Sequence, residues 1–516
     1  MPLPSDRLRE YNAVRTCVDK GSICHAPESS MYFGRDGLVS ACCYSRNAAL
    51  GRYPDNSVEE IWNSAQAVSM RAAMRRNELP DGCELCADQL AAGNVAGFHA
   101  RQFDQNARSL RSSGLMSRLQ SFLNPSTNKH YPVQLEFELS NKCNLECAMC
   151  SGFFSSSIRA NREHLPALPQ IYDAAFVEQL TPFIPHLKRA KFLGGEPFLI
   201  DIYYEIWDQL IELNPRCEVS ITTNGTVYTE KVKRVLEKLN CGIIVSLDSI
   251  VKPTYESIRQ NATFERTMAN FKVFCDFNRK NDMGLSIAVC PMVSNALEIP
   301  GLVDFATESG VRVYFNTVVF PQAHSLRGLP ADRKREILAL YRAGTGKSNG
   351  RVAEWNRNAL EDLCRQIEFW LKEEDIEIPE MDPLQTRCAN LLTGDSISTP
   401  LRNLLIDVVY TRSHIEASDL VQLTEVGPVE ELKAYFKALW ELGALLEAEG
   451  LLPGTRFDRE QELLFLEHLH REVEPAQARR IYDEARPFSK MMLRFVGTMS
   501  AAQLTELVQS HVAAVP

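Results

Sequence analysis

The chain has 516 residues, 56 Lys and Arg against 66 Asp and Glu, and a formal net charge of −10. With 45% apolar and 24% charged residues, the balance is that of a globular protein and excludes a mostly disordered or collagen-like chain. Its mild acidity offers no basic face for non-specific nucleic-acid binding. No apolar run reaches the ~18 residues of a spanning helix, and Met1 to Arg15 is polar, without the apolar core of a secretory signal. A cytoplasmic protein, working without nucleic acid or membrane, is expected.

Cysteine is the informative residue. There are 15, an odd number, and nine precede residue 151. In a reducing compartment such bunching reads as metal or cluster ligation rather than disulfides. The first group in the chain is Cys24, Gly37 and Cys42, followed by Cys83-Glu84-Leu85-Cys86. Four thiolates complete the coordination of one [4Fe–4S] cluster or of one zinc ion. Cys43 adjoins Cys42, but successive side chains diverge, so one of the two ligates. Between the cysteine pairs, Ser57 to Glu60 spells a capping box, and Ile61, Trp62, Ala65 and Val68 keep helical spacing to about Arg76. Residues 101–130 are polar and read as a connector.

From about 132 to 320 strands alternate with helices. The strands are expected at Val133–Leu139, Lys191–Leu193, Glu218–Thr222, Gly242–Leu247, Gly284–Cys290 and Val311–Asn316. Amphipathic helices are expected at Tyr203–Leu213, Glu230–Leu239 and Ile299–Glu308. The apolar run Ile243-Ile244-Val245 reads as a strand buried on both faces. Six βα units in series predict an α/β fold with a parallel sheet, open or curled into a partial barrel. Chemistry in such folds gathers at the C-terminal ends of the strands. After about 330 the chain reads as helical, and His414 to Gly450 fits either a winged-helix-like unit or a helical cap. The expected organisation is a cysteine-rich segment with connector over 1–125, the α/β region over 126–330 and a mainly helical region over 331–516.

Directly after the first of those strands stands Cys143-Asn144-Leu145-Glu146-Cys147-Ala148-Met149-Cys150, a CxxxCxxC. Three thiolates this close hold three irons of a [4Fe–4S] cluster and leave the fourth without a protein ligand. A zinc site lacking one ligand is the alternative.

At these residues, with Ser140-Asn141-Lys142 ahead of them, the sequence resembles the radical S-adenosylmethionine (SAM) superfamily. The resemblance implies a partial (β/α)6 barrel in which SAM chelates the fourth iron through its amino and carboxylate groups. One electron from the reduced cluster then cleaves SAM to methionine and a 5′-deoxyadenosyl radical, which abstracts a substrate hydrogen. Gly194-Gly195-Glu196-Pro197 closes the second strand and is similar to the family's GGEP element. Its glycines let backbone approach the ligand, and a carboxyl or carbonyl there accepts from the SAM ammonium. Thr223-Asn224-Gly225 and Ser246-Leu247-Asp248 end the third and fourth strands, where a carboxylate, ribose or adenine edge needs polar partners. Arg259 matches an arginine common in the family, and Met149 stands where an aromatic often packs near adenine. The residues expected to bind the cofactor are therefore Gly194, Gly195, Glu196, Asn224, Ser246, Asp248, Met149 and Arg259. Cys290 ends the fifth strand on the same side and is the candidate donor of a hydrogen atom to a substrate radical. Asn295 and Asn316 are candidates on the same positional argument.

The spacing of Cys24, Gly37, Cys42, Cys83 and Cys86 resembles the twitch domain, the shortened relative of the SPASM auxiliary-cluster domain. Cys24-His25-Ala26-Pro27 and Ser57-Val58-Glu59-Glu60-Ile61-Trp62 are similar to it as well. No cysteine lies between Cys86 and Cys143, so one auxiliary cluster is expected rather than two. In the family this domain follows the barrel, whereas here it precedes it. The resemblance implies a peptide-modifying enzyme, or else a dehydrogenase or epimerase of a small molecule such as a sugar or antibiotic intermediate. A flavodoxin or ferredoxin would supply the electron, and the C-terminal region would bind a leader sequence. From another class comes a non-catalytic iron–sulfur scaffold or sensor.

Overall fold

The computed structural model describes residues 5–374, apart from 16, 18, 47, 81, 84–85, 88–89, 91–97, 108–129, 165–166, 282–283, 319–321 and 345–348. The expectations for 375–516, the winged-helix-like unit included, lie outside the described residues. The chain divides into two units, residues 1–158 with 168–376 and residues 159–167 with 377–516. Both cysteine groups and all the strands belong to the first.

The strands, in chain order, are β1 (Ser30–Phe33), β2 (Leu38–Ser40), β3 (Gly51–Arg52), β4 (Gln134–Phe137), β5 (Glu146–Cys147), β6 (Arg189–Phe192), β7 (Glu218–Thr223), β8 (Asn240–Ser246), β9 (Arg259–Gln260), β10 (Leu285–Val289) and β11 (Arg312–Phe315). All six expected strands form, each within two residues of its expected ends. They pair in parallel in the order β4-β6-β7-β8-β10-β11. The helices between them carry the chain back on one face, as the alternating pattern requires. Helix Ile299–Glu308 has the expected bounds, and helices Asp201–Leu213 and Glu230–Lys238 differ from expectation by one or two residues.

The period-2 alternation divides the two faces. Ala190, Phe192, Val219, Ile221, Ile243 and Val245 are buried, whereas Lys191, Ser220, Thr222, Gly242 and Ser246 are half-buried. Ile244 is also half-buried. The expectation of a strand buried on both faces is therefore corrected: β8 has one apolar face and one partly open face.

The N-terminal segment is part of this sheet. β1 pairs in parallel with β4, in the register Ser30↔Gln134 to Phe33↔Phe137. β2 then pairs antiparallel with β1, and β3 antiparallel with β2. The sheet so reaches nine strands, and the first strand of the parallel set has no open edge. At the far edge, helix Arg351–Glu374 caps β11. Val313 N–H donates to Asn356 Oδ1 at 2.9 Å, and the Trp355 indole donates to the Val313 carbonyl at 3.3 Å.

The capping box at Ser57 is present, with Ser57 Oγ accepting from Glu60 N and Glu60 accepting from Ser57 N. The helix it starts ends at Trp62, and a second begins at Ala65 with Ser64 as its cap. Val68 is 56% exposed, so the single continuous apolar stripe expected through Val68 is corrected to two short helices. No helix among the described residues is long and apolar enough to cross a membrane.

Candidate functional site

The loop after β4 carries Cys143, Cys147 and Cys150. β5, which contains Cys147, pairs antiparallel with β9, setting Cys147 opposite Arg259. Ala148 N–H donates to the Ile258 carbonyl at 2.7 Å, extending that clamp. All three thiols are half-buried, and each lies close enough to its fellows for their charges to interact. Burial pushes the Cys147 thiol up to about 11, against the pull of Arg259. Burial likewise raises Cys143 and Cys150, so metal binding at these thiols releases protons.

Donors face two of the sulfurs. Arg259 Nη1 lies 3.8 Å from Cys147 Sγ, and Asn224 Nδ2 lies 4.0 Å from Cys143 Sγ. Arg259 is buried and pairs with the fully buried Asp248, Nη2 to Oδ2, at 2.8 Å. The other Asp248 oxygen accepts from Cys290 N at 2.7 Å. Asn295 Nδ2 braces the Asp248 and Cys290 carbonyls at 2.8 and 3.0 Å. Asp248 thus ties the end of β8 to the end of β10 and to the arginine beside the cysteine loop. Met149 and Cys290 pack together on Ile258, Met292 and Val318. Burial, with the nearby Asp248 carboxylate, raises the Cys290 thiol well above its ordinary value. Ser246 is half-buried at the end of β8, and Asn316 N–H is taken up by the Val289 carbonyl at 2.8 Å.

The Gly194–Glu196 turn packs against the loop that carries the cysteines. Gly195 has φ of +41°, and a Cβ there would sit on the Lys142 carbonyl. At Gly194, with φ of +80°, a Cβ would lie 2.7 Å from Glu138 Cγ. These glycines let the turn approach the loop that leads into Cys143, and Glu196 N–H donates to the Lys142 carbonyl at 2.8 Å. The Glu196 carboxylate is fully buried and accepts from Thr223 Oγ1 (2.8 Å), Asn224 N (2.7 Å) and Phe198 N (3.1 Å). Burial raises it to about 7 despite those donors. Glu196 positions Asn224, whose side chain reaches Asn144 and Cys143.

Cys24, Cys42, Cys83 and Cys86 also converge. The Cys24 thiol feels the charges of the other three, and Cys86 that of Cys42. Gly82, at φ of +86°, allows the turn before Cys83 to lie against Ala48 in the loop that follows Cys42. The Cys86 thiol is raised to about 12 by burial, against backbone N–H groups of Ala100 and His99. Cys43 is turned to another partner, with its sulfur 3.6 Å from His99 Nε2.

Neither cysteine group has three sulfurs within 4.8 Å of one another among the described residues. Tetrahedral zinc, with Zn–S near 2.3 Å, would need sulfurs about 3.8 Å apart.

Sequence reasoning missed a buried charged group between the two cysteine groups. Glu138, just past β4, accepts from the Tyr32 hydroxyl and pairs with Arg35 and, at 2.7 Å, with Arg46. Arg35 donates to the Phe153 carbonyl, and its guanidinium lies 4.4 Å and 4.3 Å from the ring centres of Phe153 and Phe154, just past Cys150. Arg46 comes from the loop after Cys42. Burial lowers Arg35 to about 10. The signal was present in the sequence: Gln134, Glu136 and Glu138 put polar groups at every second position of a strand.

Residues 137–299 match the Radical SAM superfamily, and residues 24–87 match the iron-sulfur cluster-binding domain SPASM. The probable GTP 3',8-cyclase of Methanocella arvoryzae is 28% identical over 33% of this chain and 48% of that protein. The antilisterial bacteriocin subtilosin biosynthesis protein AlbA of Bacillus subtilis is 23% identical over 41% of this chain and 44% of that protein. The crystal structure of Streptococcus suis SuiB bound to S-adenosylmethionine is 16% identical, with a TM-score of 0.32, covering 54% of this chain and 60% of that one. The chain spans about half the length of the curated relatives it matches. It carries a radical SAM domain with a SPASM-type iron–sulfur domain ahead of it, and the cofactors of these domain classes are [4Fe–4S] clusters and SAM.

Proposed function

We propose that this chain is a radical SAM enzyme that modifies a peptide, with Cys24, Cys42, Cys83 and Cys86 holding one auxiliary cluster. The observation that carries the reading is the single sheet joining the two cysteine groups, with Arg35, Glu138 and Arg46 packed between their loops. Cys143, Cys147 and Cys150 would hold a [4Fe–4S] cluster, which together with SAM would supply the chemistry for abstracting a hydrogen atom from the substrate. Arg259 and Asn224 donate to the cysteine sulfurs and so favour their thiolate form. Asp248, Asn295 and Glu196 hold those two donors or their loops in place. Lys191, Ser220, Thr222 and Ser246 line the partly open face of the sheet and offer a substrate polar partners. Cys290, in its small apolar surround, is the candidate donor of a returning hydrogen atom.

The peptide assignment is supported by the auxiliary-type domain and by the likeness to the subtilosin biosynthesis protein. The second reading, a small-molecule enzyme, is favoured by the likeness to GTP 3',8-cyclases and to the AdoMet-dependent heme synthase of Methanosarcina barkeri. In either reading the enzyme works in the cytoplasm with a flavodoxin or ferredoxin as donor. A short precursor-peptide gene beside this one favours the first reading, and sugar or polysaccharide genes favour the second.

The test is anaerobic reconstitution followed by reduction in the presence of SAM, with 5′-deoxyadenosine measured by chromatography. Iron near eight per chain is expected for two clusters, falling to about four in Cys143→Ala. Cys143→Ala abolishes 5′-deoxyadenosine formation, whereas Cys83→Ala retains cleavage uncoupled from product. Undiminished cleavage in Cys143→Ala would falsify the assignment.

A further inference from the structure

Cys17, His25 and Asp104 form a second kind of donor group, with His25 next in the chain to Cys24. One ligand atom from each lies within 4.8 Å of the others, and all three side chains are buried. They come from three places in the chain: just past helix Ser5–Val14, just before helix Ala26–Ser29, and just after the turn His99–Phe103.

The hydrogen bonds around the group fix its chemistry. His25 Nε2 lies 3.0 Å from the Asp19 carbonyl. A carbonyl only accepts, so Nε2 carries the proton and Nδ1 is left with a lone pair. His25 is 1% exposed, and its Nδ1 has no hydrogen-bond partner. The same Asp19 carbonyl accepts from Cys17 Sγ at 3.1 Å, so thiol and ring meet at one backbone oxygen, and the unpartnered Nδ1 keeps its lone pair for a cation. Asp104 is oriented by Arg15, with Nη2 to Oδ1 at 2.6 Å and Nε to both oxygens at 3.1 Å. A carboxylate has about four acceptor positions, so capacity remains. Metal-binding histidines usually donate their second ring N–H to a carbonyl or carboxylate, and metal-binding carboxylates are themselves hydrogen-bonded. Both supporting contacts are already in place.

We propose that Cys17, His25 and Asp104 bind a divalent transition-metal ion, with zinc as the expected occupant. Thiolate, imidazole and carboxylate together are a zinc donor set. Cys17 releases its proton on binding, and the site then carries two anionic ligands against the ion and Arg15. The site ties the N-terminal helix to the segment that enters Cys24. It also ties both to the turn whose His99 and Ala100 N–H groups face Cys86. It is a brace beneath the auxiliary cysteines and does not depend on what they hold.

The experiment measures zinc and iron together, by mass spectrometry, on full-length protein reconstituted with iron and sulfide and dialysed against ZnCl2. About one zinc per chain is expected beside the full iron content. Cys17→Ala loses that zinc and keeps its iron, and a zinc chelator lowers the melting temperature of the native chain but not of the variant. Zinc below about a tenth per chain in the native protein at saturating ZnCl2 overturns the proposal, and that measurement needs no variant. So does zinc that survives in Cys17→Ala and is lost in Cys83→Ala, which would place it among the four cysteines.

Discussion

Glu196 shows how burial and hydrogen bonding compete at one carboxylate. Three donors surround its carboxylate, and burial still holds it near 7 rather than 4.5. Between those values the folded chain keeps a proton that the unfolded chain has released. Stability therefore falls as pH rises from about 4.5 to about 7, by about 3 kcal/mol in all, and is flat above that. Urea unfolding at a series of pH values should show this slope, and Glu196→Gln should flatten it. An unchanged slope in the variant would remove Glu196 as its source. Arg259 is a comparable case: from the sequence it reads equally well as a surface charge, whereas the fold buries it between Asp248 and Cys147. The family resemblance pointed to the position but not the partner, because the two carboxylate oxygens of Asp248 are assigned by strand ends that meet only in the sheet.

At the scale of elements, turns and edges decide the geometry. Gly195 lets the turn after β6 touch the backbone leading into Cys143. Gly195→Ala forces a positive φ on a residue with a Cβ and drives that Cβ into Lys142. A loss of about 1–3 kcal/mol is expected, with less iron retained at the first site after desalting, and equal iron and melting temperature would refute the contact. The edge of β11 depends on one side chain in a similar way. Asn356 is fully buried, accepts from Val313 N and donates to Thr307 Oγ1 and the Val311 carbonyl at 2.9 and 3.0 Å. Asn356→Ala strands those groups and should cost about 2–3 kcal/mol in thermal or chemical unfolding. The six parallel strands were legible because each carries apolar residues in a run or at alternate positions, with helix patterns between most of them. β1, β2 and β3 were not: β2 and β3 have only three and two residues, and β1 is followed by a turn into β2 rather than by a helix pattern.

Across the whole molecule, the order of the two domains along the chain matters less than the strand they share. Because β1 adds to β4, the segment between Cys24 and Cys42 shares one sheet with the strand that leads into the CxxxCxxC loop. Glu138 sits at that junction with Arg35 on one oxygen and Arg46 and Tyr32 on the other. Glu138→Gln leaves the buried Arg35 and the half-buried Arg46 short of an anion and should cost about 3–5 kcal/mol. The effect should appear as a lower melting temperature together with faster proteolysis of the N-terminal segment. A variant as stable as the native chain would show that the sheet alone joins the two parts.

The sequence by itself marked the two cysteine groups and the alternation of elements. CxxxCxxC, the paired N-terminal cysteines and the six βα units are local patterns, set by spacing and hydrophobic period. Only the tertiary structure decided where side chains end. It turned Glu196 towards Asn224, set Cys43 beside His99 rather than among the four converging cysteines, and brought Cys17, His25 and Asp104 together across 89 residues of separation between Arg15 and its partner Asp104. The physical reason is that burial and hydrogen-bond satisfaction are settled between segments distant in the chain, and no local pattern records which segments meet.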